Sequence, residues 1–465
     1  MNVEEELRQL RAENAVLKEQ LQQALQQQAL LQRQLAAALA QIEQLQRPKD
    51  PPAFVKPNAT KRPPQPRRKR DPKHNSARKL YPNPSSCQQH ALTVCPDCGY
   101  HLHGNAIARR QVIELPPPAP VEVTEHQFIK RWCPHCVRWQ VPKNSLVGVV
   151  LGQSRFGVRI VALIGYLRTM LRLPLRLIKQ YLATMHSLSI SVGQLNELVS
   201  KLHQQTTGDI EQLRNSARSS TIVHADETGW RQNGKNGYIW ALSTPGAAGV
   251  GAIRYYEYDH SRGEGVVKRL LHGFKGVLIS DFYAAYNSYT GKHQRCWAHL
   301  LRDLHELKKQ HGKDEQVVEW AEAVSNLYKA GKELVGQGEK VSVATRQAAY
   351  RRLVGRVHEL GLKYASVAEH KGHPCNALSK RLLRHESELF QYVLEEGVAA
   401  DNNTAERSIR ALVVMRKISG GSRSEAGTKA RIGLFSLLET WRVRGLSPFD
   451  ELLALIGPKT PLPQL

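Results

Sequence analysis

Two short apolar runs that each end in an aspartate constrain this sequence more than any other feature. The run TIVHADE at 221–227 alternates in the manner of a strand and carries Asp226. The run GVLISD at 276–281 ends at Asp281. An aspartate after a strand is common as a turn residue, so neither acid alone indicates a site. The arrangement of the runs around them carries the prediction.

The segment around these two acids alternates between strand-like and helix-like patterns. Two strand-like runs, 237–244 and 252–258, and a helix-like stretch, 265–272, lie between the two acids. After Asp281, the run HQRCWAH at 293–299 reads as a strand that leads into a helix. The pattern predicts the order β-β-β-α-β-α-β, with acids on the first and fourth strands. This order matches the ribonuclease-H-like fold, in which adjacent central strands bring two aspartates together.

A third acid is expected on a later helix, and DNNTAERSIR at 401–410 offers one. Asp401 or Asn402–Asn403 can cap a helix that carries Glu406. Two divalent ions about 3.5–4 Å apart require carboxylate oxygens on both sides. Carboxylates are the hard ligands that Mg²⁺ prefers. We therefore predict a centre of Asp226, Asp281 and Glu406 that holds two Mg²⁺ or Mn²⁺ ions.

The charge balance of the chain indicates an anionic partner. The 465 residues include 66 Lys and Arg against 41 Asp and Glu, a formal net charge of +25. Clustered cations favour nucleic acid, because phosphate neutralisation releases counterions. The N-terminus lacks the basic start and apolar run of a secretory signal, and basic residues that include Arg155, Arg159, Arg168 and Arg172 interrupt the apolar stretch 146–178. These features exclude a membrane protein and predict a soluble, intracellular one.

Residues 1–46 contain neither Gly nor Pro and read as one long helix. Apolar residues recur at alternating steps of three and four, a stripe that predicts a coiled coil. With Leu7 at an a position, Asn14 also falls at an a position, where a polar residue often fixes a parallel dimer. A helix folded back on its own domain is the alternative. Pro48 ends the helix.

The following segment, to about residue 79, is rich in Pro and in basic residues. It predicts a flexible linker that grips DNA phosphates through Arg67, Arg68, Lys69 and Arg70, or serves as a solvated spacer.

Two CxxC pairs form the strongest local motif. Cys95–Cys98 and Cys133–Cys136 each offer two thiolates on a tight turn, and together they predict a closed, structural Zn²⁺ site. The 35-residue separation leaves room for strands at 109–115 and 121–132. Five nearby residues could also bind zinc but are interpreted as surface residues: Cys87, His90, His101, His103 and His135.

Two further patterns are less specific. Residues 175–185 and 193–202 resemble a helix-turn-helix, whose second helix would enter a DNA major groove, although ordinary core packing gives the same pattern. Cys296 and His299 form a CxxH pair at the start of a helix. Buried Cys is common, so a structural pair is favoured over a second metal site.

The motifs HADETGW, SDFYAAY, CWAHLLRDL and NNTAERSIRALVVMRKISGGSRS resemble the bacterial insertion-sequence transposases of the family numbered sixty-six. The resemblance covers nearly the whole chain. It implies that Asp226, Asp281 and Glu406 are the catalytic triad, and that a helical insertion separates Asp281 from Glu406. It also implies a bacterial cytoplasmic enzyme that acts on transposon ends and target DNA and that works with small accessory proteins of the same element.

One position departs from a pattern found in several transposase families. They carry a basic residue seven positions after the glutamate, where this sequence has Val413. Four other basic residues are candidates for holding the DNA end, or are ordinary surface charges: Arg407, Arg410, Arg416 and Lys417.

These observations predict a multidomain α+β protein. We expect a coiled coil for dimerisation (1–47), a basic Pro-rich linker (48–84), a zinc-binding module (85–145) and a helical region with the helix-turn-helix (146–215). The first part of a ribonuclease-H-like α/β core (216–300) should follow, then a helical insertion (301–395), the closing part of the core (396–445) and a C-terminal tail (446–465).

The predicted function is metal-dependent DNA cleavage and strand transfer by a homodimer or higher oligomer. The alternatives are a non-catalytic DNA-binding regulator built from the coiled coil and zinc module, and a nuclease of the same fold without joining activity.

Overall fold

The structure is a computed structural model. It describes residues 3–46, 80, 82–104, 107, 109–142, 146–246, 251–338, 341–366 and 370–458. Two compact units divide the chain, Met1–Leu115 and Pro116–Leu465. Most of the predicted basic linker, including Arg67, Arg68, Lys69 and Arg70, lies outside the described residues. In the part of the chain that is described, no helix is long and apolar enough to cross a bilayer.

The first unit contains one long helix, α1 (Val3–Gln46), of 44 residues. At 1.5 Å per residue it is about 66 Å long. Several of its leucines are more than half exposed, including Leu21, Leu31 and Leu35 of the predicted stripe. A helix with such an apolar stripe is stable only when another helix buries the stripe. A single chain does not show that second helix, so the coiled coil remains a prediction.

The second unit begins with a short antiparallel hairpin, β1 (Arg131–Cys133) and β2 (Arg138–Gln140). Trp132 and Trp139 face each other across it with ring centroids 5.7 Å apart. The strand predicted at 109–115 is wrong, and of the strand predicted at 121–132 only the last two residues are in β1. Pro116–Pro118 and Pro120 cannot donate the hydrogen bonds of a ladder.

Four helices follow: α2 (Val158–Thr169), α3 (Leu175–His186), α4 (Val192–Gln205) and α5 (Thr207–Arg218). The two segments of the predicted helix-turn-helix correspond to α3 and α4. Ser187, in the left-handed region at φ 54°, ends α3, and a capping box between Ser191 and Gln194 starts α4. DNA recognition by this pair remains a prediction.

A five-stranded mixed sheet forms the centre of the second unit. Its elements in chain order are β3 (Ile222–Gln232), β4 (Lys235–Ser243), β5 (Arg254–Asp259), α6 (Glu264–Leu270), β6 (Val277–Ser280) and β7 (His293–Arg295). The spatial order is β5-β4-β3-β6-β7. The first three strands pair antiparallel, whereas β6 runs parallel to β3 and β7 parallel to β6.

The predicted order of elements is confirmed except between β6 and β7. There a 3₁₀ helix, Ala284–Ser288, stands in place of the predicted α-helix. A connection of about a dozen residues between neighbouring parallel strands leaves room for only a short turn of helix. The β3–β4 hairpin closes on Asn233 and Gly234, both at positive φ, as a two-residue turn of the I′ type requires.

The remaining chain is helical, which was predicted for the insertion at 301–395 and for the helix that carries Glu406. The segment between β7 and Glu406 holds α7 (Trp297–Gln310), α8 (Glu315–Gly336), α9 (Val343–Ala365), α10 (Asn376–His385) and α11 (Gln391–Leu394), and the chain closes with α12 (Asn403–Ser419), α13 (Glu425–Val443) and α14 (Pro448–Ile456). Helix α12 packs on β3 and α13 on β5. Helix α14, in the segment assigned to a tail, packs on α2 through the buried Leu452.

A buried ion pair joins the sheet edge to the helical segment. The fully buried Arg295 of β7 donates from Nε to Glu388 Oε2 (2.5 Å) and from Nη2 to Asn287 Oδ1 (2.5 Å). Burial alone would raise the pKa of Glu388, but the hydrogen bond from His385 and the charges of His293 and Arg295 lower it to about 2. Glu388 is therefore ionised and neutralises a guanidinium that water cannot reach.

Replacing Glu388 with Gln should destabilise the second unit. Loss of the carboxylate leaves the Arg295 charge uncompensated, which costs about 3 kcal/mol of unfolding free energy. We expect a fall of several degrees in Tm. The matched control is Glu386→Gln, because Glu386 pairs with the half-exposed His358 and should contribute less than about 1 kcal/mol. Equal Tm values for the two variants would contradict the role given to Glu388.

Candidate active site

Asp226 and Asp281 lie on adjacent parallel strands. In the register of β3 with β6, Ile222 pairs with Val277 and His224 with Ile279. Two residues farther along the same direction, Asp226 of β3 stands beside Asp281, the first residue after β6. The structure thus brings together the first two acids predicted from the sequence, at the carboxyl end of β6.

Backbone contacts fix both carboxylates. Asp226 Oδ1 accepts a hydrogen bond from its neighbour Glu227 N (2.9 Å), and Asp281 Oδ1 accepts one from Tyr283 N (2.9 Å). The carbonyl oxygen of Asp281 accepts from Arg295 Nη1 (2.9 Å). The buried ion pair at the sheet edge therefore also holds the backbone of the second aspartate.

Asn402 anchors the helix of the third acid. Its Nδ2 donates to Ala225 O (2.8 Å), the residue before Asp226, and its Oδ1 accepts from His224 Nδ1 (3.2 Å). The pKa of His224, which burial lowers to about 4, keeps this imidazole neutral. The sequence predicts Asn402 as one candidate for the helix cap. It does stand at the cap position, but its side chain forms hydrogen bonds with β3 and makes no capping hydrogen bond. Glu406 follows one turn later, its N–H donating to Asn402 O (3.1 Å).

The electrostatics of the site tie the acids together. Burial, then the charges of Glu227 and Asp281 and, more weakly, Glu406, raise the pKa of Asp226 to about 8. Glu406 Oε1 is buried, with no hydrogen-bond partner among the described residues. Hard oxygen donors gathered in this way fit a divalent ion such as Mg²⁺ or Mn²⁺.

Glu227 has a different environment from its neighbour. Its carboxylate, almost completely buried, accepts from Arg262 Nη2 (2.6 Å) and from Tyr286 Oη (2.7 Å). Strand alternation places Glu227 on the face of Val223 and Ala225, which share a core cluster with Tyr286. Glu227 is thus compensated by the protein itself.

The basic residues of α12 divide into two groups. Arg407, Arg410 and Lys417 are exposed, whereas Arg416 donates from Nη1 to Gly229 O on β3. Val413, at the position where other families carry a basic residue, packs against a core cluster. Arg416 therefore has a contact within the fold, and the other three remain candidates for DNA phosphates.

The two CxxC pairs each form a turn with backbone donors near the sulfur. Hydrogen bonds from the backbone of Asp97 and Cys98 lower the pKa of Cys95, and the turn closes with Gly99 N donating to Cys95 O (2.9 Å). In the hairpin, Cys136 N lies 3.4 Å from Cys133 Sγ and lowers the pKa of that thiol. Backbone donors that favour the thiolate suit both turns to a zinc ion.

The sequence pattern did not indicate the roles of Arg295 and Asn402. Arg295 is a charged residue in a short strand, His293–Arg295, that the fold buries entirely. Its position after the apolar run that ends at Asp281 was the one sequence feature that could have drawn attention to it. Asn402 offered no comparable signal, because its contacts are with residues 177 and 178 positions away.

Replacing Asp226 with Asn should stabilise the protein in buffer without added divalent ions. The folded-state pKa of about 8 exceeds the ordinary 3.8, so the native state binds an extra proton, and stability falls as pH rises between these values. The variant should therefore gain about 1–2 kcal/mol at pH 8.5, allowing for partial solvent access, and little near pH 4. Melting temperatures across this range test the prediction, with the exposed Asp450→Asn as control. A gain independent of pH would contradict it.

Comparison with known proteins supplies a family. The profile described as "Transposase IS66 family" matches residues 153–430, which include Asp226, Asp281 and Glu406. The profile described as "zinc-finger binding domain of transposase IS66" matches residues 93–137, which include the four CxxC cysteines.

Several curated proteins of Sinorhizobium fredii are also similar. "Uncharacterized protein y4qI" is 28% identical over 208 residues, 42% of this chain and 38% of that protein. "Uncharacterized protein y4jO" is 28% identical over 179 residues, 38% and 51% of the two chains, and "Uncharacterized protein y4jD" is 26% identical over 282 residues, 53% of each. The matches thus span about half the length of these relatives, or less. Because the first profile covers more than half of the sequence, the chain belongs to the IS66 family of transposases.

Proposed function

We propose that the protein is a DDE transposase whose catalytic triad is Asp226, Asp281 and Glu406. The observation that carries the proposal is the parallel pairing of β3 with β6, which sets Asp226 beside Asp281. Burial, the charge of Glu227 and then those of Asp281 and Glu406 raise the pKa of Asp226, which supports the proximity of these acids. The strand order β5-β4-β3-β6-β7 supports a ribonuclease-H-like core. The family supports DNA as substrate.

The three carboxylates would hold two Mg²⁺ or Mn²⁺ ions, which supply Lewis-acid activation of a water or 3′-hydroxyl nucleophile and stabilise the leaving oxygen. The chain's own contribution is orientation. Parallel pairing fixes Asp226 beside Asp281, and Asn402 fixes the start of the helix that carries Glu406. Arg407, Arg410 and Lys417 are exposed on that helix and would neutralise the phosphates of the DNA end.

The other segments would recognise and pair element ends. Cys95, Cys98, Cys133 and Cys136 would hold one structural zinc, helices α3 and α4 would contact DNA, and α1 would join protomers in a coiled coil. The exposed leucines of α1 support self-association, since a lone helix would leave them in water. Accessory proteins of the same element remain expected partners.

Replacing Asp281 with Asn should abolish cleavage and strand transfer of DNA carrying the element ends, with a loss of at least about 1,000-fold. DNA binding, measured by mobility shift, should persist. The control is Asp209→Asn in α5, which should keep full activity. Joining by Asp281→Asn would reject the triad, cleavage without joining in the unmodified protein would favour a nuclease, and DNA binding without any cleavage by that protein would favour a regulator.

Replacing Cys95 with Ser should release the zinc. The full-length protein should contain about one Zn²⁺ per chain, and the variant should contain less than half of that, because three thiolates hold the ion more weakly than four. The module should then lose protection from proteolysis. The exposed Cys87→Ser is the control and should keep its zinc. Full zinc content in the Cys95 variant would remove Cys95 from the ligand set.

A further inference from the structure

His299 lies beside the third acid and has no assigned role. It stands in the first turn of α7, just after β7, and its Nδ1 is 3.7 Å from Glu406 Oε1. Both atoms are buried, and among the described residues neither has a hydrogen-bond partner. Two facing polar atoms that water cannot reach destabilise the fold unless they pair with each other or with a ligand.

The position of His299 relative to Glu406 is set by the docking of two helix starts. Asn402 N, at the start of α12, donates to Cys296 Sγ (3.2 Å), at the start of α7. Trp297 N donates to Ala400 O (2.9 Å). These bonds join the first turns of the two helices directly, so the imidazole and the carboxylate face each other across a fixed contact.

A small adjustment would join the two groups. At 3.7 Å the contact is longer than a hydrogen bond, and a movement of less than about 1 Å would bring it within range. Hydrogen bonds of a catalytic centre are often long without ligand and tighten when the reactants bind. A carboxylate that binds a metal through one oxygen commonly accepts a hydrogen bond on the other.

We propose that His299 is a positioning residue that donates from Nδ1 to Glu406 Oε1 and so directs Oε2 toward the divalent ions. The inference rests on the proposed triad, and it assigns the orientation of the third acid to a residue of α7. His299 acts through Glu406 and need not touch DNA. Its removal should weaken metal binding before it affects DNA binding.

A competing interpretation makes the same residues a ligand set. Sγ of Cys296 and the ligand atoms of His299 and Glu406 lie within 4.8 Å of one another, and this donor set would suit Zn²⁺. The sulfur, however, already accepts the hydrogen bond from Asn402 N, and burial raises the pKa of the thiol. Positioning by His299 requires no change in these contacts.

The experiment measures Mn²⁺ binding to the full-length, zinc-loaded protein by electron paramagnetic resonance, alongside strand cleavage as a function of Mn²⁺. His299→Ala should weaken Mn²⁺ binding about 10–100-fold and raise the Mn²⁺ requirement of cleavage, with DNA affinity unchanged. His299→Asn supplies an N–H near the position of Nδ1 and should restore most of the binding. His299→Gln supplies one near Nε2 and should not.

The controls separate the possible failures. His305→Ala alters an exposed histidine of the same helix and should leave Mn²⁺ binding unchanged. Equal Mn²⁺ binding by His299→Ala and the unmodified protein, with loss in Asp281→Asn, would overturn this inference alone. Equal impairment of His299→Ala and His299→Asn would overturn the Nδ1 contact. Loss of tightly bound Zn²⁺ in Cys296→Ser as well as in His299→Ala would replace positioning with ligation. Absence of Mn²⁺ binding in the unmodified protein would reject the triad as well.

Discussion

The mutual repulsion of closely spaced carboxylates is the constraint on which the rest of this structure depends. Burial and the charges of Glu227, Asp281 and Glu406 raise the pKa of Asp226, and the hydrogen bond from Glu227 N offsets only part of this effect. The surrounding fold resists the repulsion through contacts that are individually ordinary. The parallel pairing of β3 with β6, the Arg295 contact to Asp281 O and the Asn402 bridge to Ala225 each fix one acid. A cation that neutralised the cluster would also relieve the repulsion, so its binding would stabilise the folded protein.

The helical segment between the second and third acids is part of the same framework. Its helices share a core cluster with Ile222, Val277 and Ile279, which project from the central strands, and Trp297, Phe390 and Tyr392 lie in that cluster. The segment therefore covers one face of the sheet, whereas the helices α2 to α6 and α13 contribute to the cluster on the other face. The Arg295–Glu388 pair and the α7–α12 contact join this cover to the site. A substitution in the insertion can thus disturb the acids without approaching them.

Much of this arrangement could be predicted from the sequence, and the remainder had a physical reason to stay hidden. Strand alternation around Asp226 and the apolar run before Asp281 are local patterns, so the sequence predicts both strands. The helical character of the insertion at 301–395 is likewise a local property of the sequence. The strand predicted at 109–115 is wrong, because an extended segment forms a strand only where a partner strand exists. The contacts of Asn402, Arg295 and His299 join segments that are roughly 90 to 180 residues apart. No local pattern specifies such pairs, and the side chains become informative only once the fold brings them together.

The bridge from Asn402 to the first strand also has a consequence for synthesis. Asp226 and Asp281 leave the ribosome 180 and 125 residues before Glu406, and the helical cover is made after both of them. Domains of a growing chain fold broadly in the order of their synthesis. The centre is therefore completed only when α12 docks through Asn402, after the strands and the helical cover have been translated. A product terminated before Glu406 would carry two of the acids yet would be unable to complete the centre, so translation itself would time the assembly of the three acids.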